Sequence, residues 1–307
     1  MNLSNIVVLI LKKKLLIIGG SGLVGSTLVN YSMDDYETIL TYNKNKPKNQ
    51  NLKSFHIDLL KNKNEILDLI QTIEPNFIVH TAAHSSVDLC ETNHDLANEL
   101  HVDVTKDIAN ICSKIKSKLI YLSTDAVFDG YSKINYSESD KPAPVNYYGL
   151  TKLNAEKIIL NSSNQNVILR TAVIYGWHKK SRFTNWILDS LPEKIITDPH
   201  IDQYNTPTLV DDLAKVILKI IEMNVCGLFH ATGKTCVNRF EFASLIADIF
   251  NLDKEFIVPV TSLEKKQLAP RPKHTCLNSS YLEKSINFRF CDLNSGIKFI
   301  FKQSQNT

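Results

Sequence analysis

From residue 14 onward, short apolar runs rich in β-branched residues alternate with longer segments of helical spacing. KLLIIG (14–19), ETILTY (37–42), LKSFHI (52–57), NFIVHT (76–81), KLIYLST (118–124) and NVILRT (166–171) predict strands. Between them, LVGSTLVNYS, NEILDLIQTI, HDLANELHVDVTKDIANICSKI and YYGLTKLNAEKIILNSS predict helices. That alternation implies βαβ units with right-handed crossovers and a parallel sheet covered on both faces. The expected class is α/β, a Rossmann-type doubly wound sheet. After about residue 175 the rhythm loosens, with helices expected near 182–191, 209–223, 239–250 and 279–285 and short runs such as GLFHAT between them. The pattern predicts a dinucleotide-binding domain over 12–175 and a smaller α/β substrate lobe over 176–307, some of whose elements return to the sheet. Ligands of such folds lie at the carboxyl ends of the strands, here between the two lobes.

Composition narrows the choice of partner. Hydrophobic residues make up 43% and charged residues 22%, and a net charge of +3 gives little footing for nucleic acid. Lys12–Lys14 and NKNKPK (43–48) are short enough to be solvated surface. IVVLIL (6–11) is too short to span a bilayer and reads as a tail or an extra edge strand, so no membrane partner is expected. The six cysteines (90, 112, 226, 236, 276, 291) show no C-x-x-C or metal-ligand spacing. Free thiols in a reducing cytoplasm are expected, with no disulfide and no metal.

Glycine is scarce, ten residues in 307, yet GGSGLVG (19–25) holds four of them directly behind the first strand. Strand, Gly19-x-x-Gly22-x-x-Gly25, helix is the context of a dinucleotide fingerprint. Gly19 permits the turn, Gly22 admits a pyrophosphate, and Gly25 lets the helix pack on the sheet. Ser21, Leu23 and Val24 lie where main-chain N–H groups and the helix dipole favour phosphate charge. Past the second strand stand Thr41, Tyr42, Asn43 and Lys44, with no carboxylate to hold a ribose 2′-hydroxyl. Lys44 or Lys46 would instead meet a 2′-phosphate, so NADP(H) is expected ahead of NAD(H).

Tyr148-x-x-x-Lys152 puts a phenol and an ammonium on one helical face. An adjacent cation stabilises a phenolate, which makes a tyrosine more useful in acid–base chemistry near neutral pH. Upstream, Ser123, Thr124 and Asp125 end a central strand, and a hydroxyl there can hold a substrate carbonyl beside the tyrosine.

With these motifs in place, the chain from about residue 14 resembles the extended short-chain dehydrogenase/reductases, and within them the dTDP-4-dehydrorhamnose reductase group. GGSGLVG, HTAA (80–83), STDAVFDG, NYYGLTK, LRTAVIYG, NTPTLVDDLA (205–214), GLFHATG and APRPKHTCL (269–277) carry the resemblance. It implies Thr124, Tyr148 and Lys152 as the catalytic set, with Asp58 near the adenine and Thr81, Ala82 and Ala83 along the cofactor cleft. It also implies Asp125, Ala126, Val173 and Arg271 around the substrate. Four positions depart from the pattern: Ile18 for Thr, His101 for Asn in the fourth helix with weaker local hydrogen bonding, Ala126 for Tyr and Val173 for Trp.

The resemblance implies NADPH-dependent reduction of the 4-keto group of a nucleotide-linked 4-keto-6-deoxy sugar, in a cytoplasmic protein with room for a homodimer. The alternatives are an epimerase or dehydratase of the superfamily, and a non-catalytic NADP-binding regulatory subunit of a methionine adenosyltransferase. A dehydratase would usually carry Glu after STD, where Ala126 stands.

Overall fold

In a computed structural model, residues 12–306 are described apart from 48, 50 and 133. The apolar stretch at 6–11 lies outside the described residues. The strands are β1 (Lys14–Ile18), β2 (Glu37–Tyr42), β3 (Lys53–His56), β4 (Phe77–His80), β5 (Lys118–Thr124), β6 (Val167–Thr171), β7 (Ile174–Tyr175), β8 (Tyr204–Asn205), β9 (Thr208–Leu209), β10 (Gly227–His230) and β11 (Val237–Asn238). The helices are α1 (Leu23–Ser32), α2 (Lys63–Ile73), α3 (Val87–Thr92), α4 (His94–Asn98), α5 (Val104–Ile115), α6 (Tyr147–Ser162), α7 (Arg182–Ser190), α8 (Val210–Glu222), α9 (Arg239–Phe250), α10 (Ser280–Ser285) and α11 (Leu293–Ser304).

Seven strands form one parallel sheet in the order β10-β6-β5-β4-β1-β2-β3. Its central strands are buried on both faces, which is why they read as continuous apolar runs rather than alternating ones. One face packs against α1 and α8 through Leu28, Val29, Leu213 and Ile217. The other packs against α2, α5 and α6 through Ile66, Ile70, Ile108 and Ile159. A third cluster, built on α7, α9 and α11 around Phe242, Ile246 and Ile297, forms a core separate from those on the two faces of the sheet. The strand order reverses between β1 and β4, and the crevice in which this fold class binds ligands lies outside the carboxyl ends of the strands at such a switch point.

Several elements differ from expectation. GLFHAT supplies β10, the seventh strand of the main sheet, so the chain returns to its first core after leaving it. The long helix expected over 94–115 is interrupted by a π-turn at Glu99–Asp103. Helices α3 and α11 lie outside the predicted set. In α11 the mid-helix Gly296 has a packing reason: a Cβ there would come within 1.9 Å of the Tyr175 hydroxyl.

The cysteine expectation is also corrected. Cys236 and Cys276 form a disulfide, with Cα atoms 5.6 Å apart, while Cys90, Cys112, Cys226 and Cys291 are free. The two partners are 40 residues apart in sequence. Only the docking of the strap at 274–277 against β8, whose neighbour is β11, brings them together. Among the described residues, no helix is long and apolar enough to cross a membrane.

Candidate active site

The glycine turn closes over the end of β1. Gly19 has φ +84°, and a Cβ on it would lie 2.8 Å from Thr81 Oγ1, so backbone geometry and crowding both demand glycine. At Gly25 a Cβ would meet the Gly19 carbonyl at 2.4 Å, so the helix can approach the turn only without a side chain. Gly22 is different, because a Cβ there would touch only the Gly19 oxygen, at 3.2 Å, and would otherwise project into the groove. Helix α1 begins with no side-chain cap and no acid in its first turn. Its leading N–H groups are therefore left for an anion.

A cavity of about 650 Å³ runs from Gly19, Ser21 and Gly22 along Thr81, Ala82 and Ala83 to Asp58 and Lys44. Lys46 does not line it. Burial raises the Asp58 pKa, but the Leu60 and Lys61 N–H groups and the Asn43 side chain outweigh that and hold it below the usual value. The loop before α7 closes the other side, where Lys180 donates to the Ser21 carbonyl and so hangs a cation beside the glycine turn. This lysine was not visible as a site residue in the sequence, since nothing there ties residue 180 to residue 21.

A second cavity, of about 980 Å³, shares Gly22, Thr81, Ala83 and Lys180 with the first and continues past Leu23 and Val24 to Thr124, Tyr148 and Lys152. Helix α6, which carries the tyrosine and lysine, is firmly seated. Asn146 caps it by accepting from Gly149 N at 2.9 Å, and Glu91 accepts from Tyr147 N at 2.8 Å. The π-turn supports it from the side. His101 Nε2 accepts from His84 N at 3.0 Å, so its Nδ1 carries the proton and donates to Thr151 Oγ1 at 2.9 Å. Thr151 Oγ1 in turn donates to the Tyr148 carbonyl at 2.9 Å. The expected loss of local hydrogen bonding at His101 is therefore corrected, because the imidazole joins α6 to the loop after β4. Burial, reinforced by Lys152, pushes the His101 pKa far below the histidine range and keeps the ring neutral.

The electrostatics of the tyrosine also depart from expectation. Burial is the largest influence on Tyr148 and raises its pKa above the ordinary phenol value, against a hydrogen bond from Thr124 that lowers it. Lys152 is itself desolvated, its pKa lowered to about 7. Its Nζ donates to the Leu122 carbonyl at 2.6 Å and sits 3.9 Å from the Tyr121 ring centre. Tyr148 is thus a neutral phenol at ordinary pH, the form that can give up a proton.

The strand end divides its labour. Ser123 Oγ donates to Glu156, and only Thr124 Oγ1 faces the tyrosine. Asp125 is buried, and its carboxylate is already occupied by Thr275, by Asn205 at 2.7 Å and by Thr124 at 3.1 Å. It therefore ties β5 to two later segments of the chain, β8 and the stretch around Thr275, while lining the second cavity.

Beyond Thr124 and Tyr148 a third cavity, of about 430 Å³, is lined by Ala126, Arg239, Lys265 and Arg271. Arg271 reaches it as expected, but Nη2 is paired to Asp88 at 2.9 Å, and Nη1 donates to the Ala269 carbonyl. Arg239 was missed in the sequence. It opens α9 behind a capping box of Asn238 and Glu241, borders the second and third cavities, and stacks 5.4 Å from the Phe183 ring centre. Burial lowers its pKa to about 10, so it still carries charge at neutral pH. Val173, at the turn out of β6, has φ +42°, a rare conformation for a β-branched residue, and lines the second cavity.

The groove thus joins an uncapped helix N-terminus, a phenol and a lysine one helical turn apart, and an outer chamber lined by Arg239, Lys265 and Arg271. Residues 13–306 match the family model described as the RmlD substrate binding domain. The chain is 28% identical over 300 residues to dTDP-4-dehydrorhamnose reductase of Aggregatibacter actinomycetemcomitans, covering 94% of this chain and 98% of that one. It is 31% identical over 282 residues to methionine adenosyltransferase 2 subunit beta of Xenopus laevis, covering 89% and 82%. Among solved structures, dTDP-4-dehydrorhamnose reductase of Bacillus anthracis in complex with NADP superposes with a TM-score of 0.84 at 27% identity, covering 95% of this chain and all of that one.

Proposed function

The chain belongs to the RmlD substrate-binding-domain family, and from that premise we propose that it is an NADPH-dependent reductase of a nucleotide-linked 4-keto-6-deoxy sugar. The observation that carries the reading is that Thr124, Tyr148 and Lys152 all line the glycine-turn groove, and that Thr124 and Tyr148 also face the arginine-lined chamber. The cofactor fits the residues present, since Gly22 leaves space where a side chain would intrude and the first turn of α1 offers uncapped N–H groups. When bound, NADPH supplies the hydride. Thr124 Oγ1 holds the keto oxygen, Tyr148 gives it a proton, and Lys152 turns from Leu122 toward the nicotinamide ribose. Lys180 and the α1 N-terminus hold the pyrophosphate, while Arg239 and Arg271 grip the sugar nucleotide's diphosphate, a task suited to planar guanidinium groups.

The direct test follows NADPH oxidation with dTDP-, UDP- and GDP-linked 4-keto-6-deoxy sugars. Turnover on at least one is expected, and inactivity on all would sink the reading. Of the two small residues expected around the substrate, only Ala126 lines the outer chamber, where Phe183 and Trp186 supply bulk, while Val173 lines the second cavity. The space at Ala126 should admit a larger or differently oriented sugar, and strict preference for dTDP-4-dehydrorhamnose would refute that part.

Two variants probe the ends of the groove. Lys44→Ala should narrow the preference for NADPH over NADH by about 1–2 kcal/mol, the scale of one charge-assisted hydrogen bond. Titration of both cofactors checks it, and an NADH preference in the parent protein would contradict the assignment. Arg271→Ala should raise the sugar-nucleotide KM by about tenfold, a loss near the low end for hydrogen bonds to charged groups, because Asp88 already shares its charge. NADPH affinity should be spared. An unchanged KM would remove Arg271 from the substrate site.

The 31% identity to a methionine adenosyltransferase subunit supports a second reading, a regulatory role through binding such an enzyme. Stable co-purification with the adenosyltransferase, together with inactivity toward every keto sugar, would favour it.

A further inference from the structure

Away from the groove's reacting atoms, one cluster combines sulfur and imidazole donors. Cys236 stands immediately before β11, and His274 and Cys276 lie on the strap that pairs with Tyr204 of β8. The three donor atoms all lie within 4.8 Å of one another. Cys236 Sγ and His274 Nε2 are 3.5 Å apart. A tetrahedral zinc site with Zn–S of about 2.3 Å and Zn–N of about 2.0–2.1 Å has a sulfur-to-nitrogen edge of about 3.5 Å. The imidazole therefore already stands where a ligand would stand relative to Cys236. His274 Nδ1 is buried without a hydrogen-bond partner, so the other ring nitrogen is the one directed at sulfur. The Cα separation of 5.6 Å suits the bonded pair. Side-chain rotation from that spacing can also part the sulfurs to the zinc-site edge of about 3.8 Å.

We propose that Cys236, His274 and Cys276 form a redox-gated site for a thiophilic divalent cation, Zn²⁺ above all. A dithiol reductant gives two electrons and two protons to the Cys236–Cys276 bond, which breaks to two thiols as the reductant closes to its own disulfide. Zn²⁺ then displaces both thiol protons and takes two thiolates and His274 Nε2, leaving its fourth position to water. Transfer of the two electrons to an oxidised disulfide reforms the bond and releases the metal. Thr275, between the two strap ligands, donates to Asp125 at the wall of the substrate chamber, so either state of the cluster anchors that wall. The proposal is independent of the reductase reading, and metal content tests it without any turnover.

Thiol titration of the denatured protein should count the four free cysteines before reduction and all six after it. Reduced full-length protein equilibrated with Zn²⁺ and then desalted should retain about one ion per chain by elemental analysis, and oxidised protein none. Replacing Zn²⁺ by Co²⁺ should give a thiolate-to-cobalt charge-transfer band in the reduced parent protein, a readout that needs no variant to fold. Cys276→Ser and His274→Ala should weaken Zn²⁺ binding at least tenfold. Reduced protein without metal, a cobalt spectrum lacking the thiolate band, or undiminished binding in a folded Cys276→Ser variant would each overturn the proposal.

Discussion

Tyr148→Phe is expected to lower keto-sugar turnover by about 10²–10⁴-fold, the usual worth of a positioned acid, while NADPH affinity stays nearly unchanged. The phenylalanine keeps the ring in its half-buried place and removes only the hydroxyl that Thr124 faces. Because burial holds Tyr148 as a phenol at ordinary pH, the proton to be donated is already in place before substrate arrives. Lys152→Ala should behave differently and damage both turnover and NADPH binding, since the same ammonium is assigned to the ribose and to the phenolate left after transfer. Single-turnover rates and cofactor titrations on the two variants separate these roles. A Tyr148→Phe enzyme that reduced the sugar at the parent rate would remove the tyrosine from the chemistry.

The parts of this site that were legible in the sequence are those whose function is local. A strand, a glycine turn and a helix are contiguous, and their steric demands at Gly19 and Gly25 can be read from a run of seven residues. Tyr148 and Lys152 are likewise tied by one turn of one helix. Arg239 and Lys180 were not legible, because each reaches the groove only after a separate element docks. The Asn238–Glu241 capping box marks where α9 starts, yet it says nothing of where the first residue of that helix points. The π-turn was hidden for a similar reason. Glu99–Asp103 has ordinary helical composition, and what sets His101 apart is its pair of partners, His84 and Thr151, on other elements. The cysteine pair shows the same limit over a separation of 40 residues. Even the phenol's acidity followed this rule: spacing placed Lys152 beside Tyr148, but burial, which spacing does not encode, raised the pKa instead.

Behind the reacting groups, Glu156→Gln is expected to cost about 3–5 kcal/mol of folding stability, a range found when one partner of a buried ion pair is removed. Glu156 lies one helical turn beyond Lys152, and its carboxylate takes both Arg170 Nε at 3.0 Å and Nη2 at 2.7 Å. The two side chains are only 2% and 3% exposed, so water cannot replace the lost charge. Among the described residues, Glu156 is the acid paired with Arg170, whose Nη1 has no hydrogen-bond partner and whose guanidinium lies 5.1 Å from the Phe128 ring centre. The loss therefore comes mainly from a stranded guanidinium and not from a missing attraction. That origin has a consequence which separates it from simple packing damage. Glu156→Gln combined with Arg170→Met should recover much of the stability, because the double variant leaves no buried charge without a partner. Glu156 also holds Ser123, the residue before Thr124, so the single variant should lower turnover even below its unfolding temperature. Denaturant unfolding of the parent, both single variants and the double variant completes the cycle. If the double variant were as unstable as the sum of the two singles, the stranded-charge account would fail, and Glu156 and Arg170 would have to act on the fold independently.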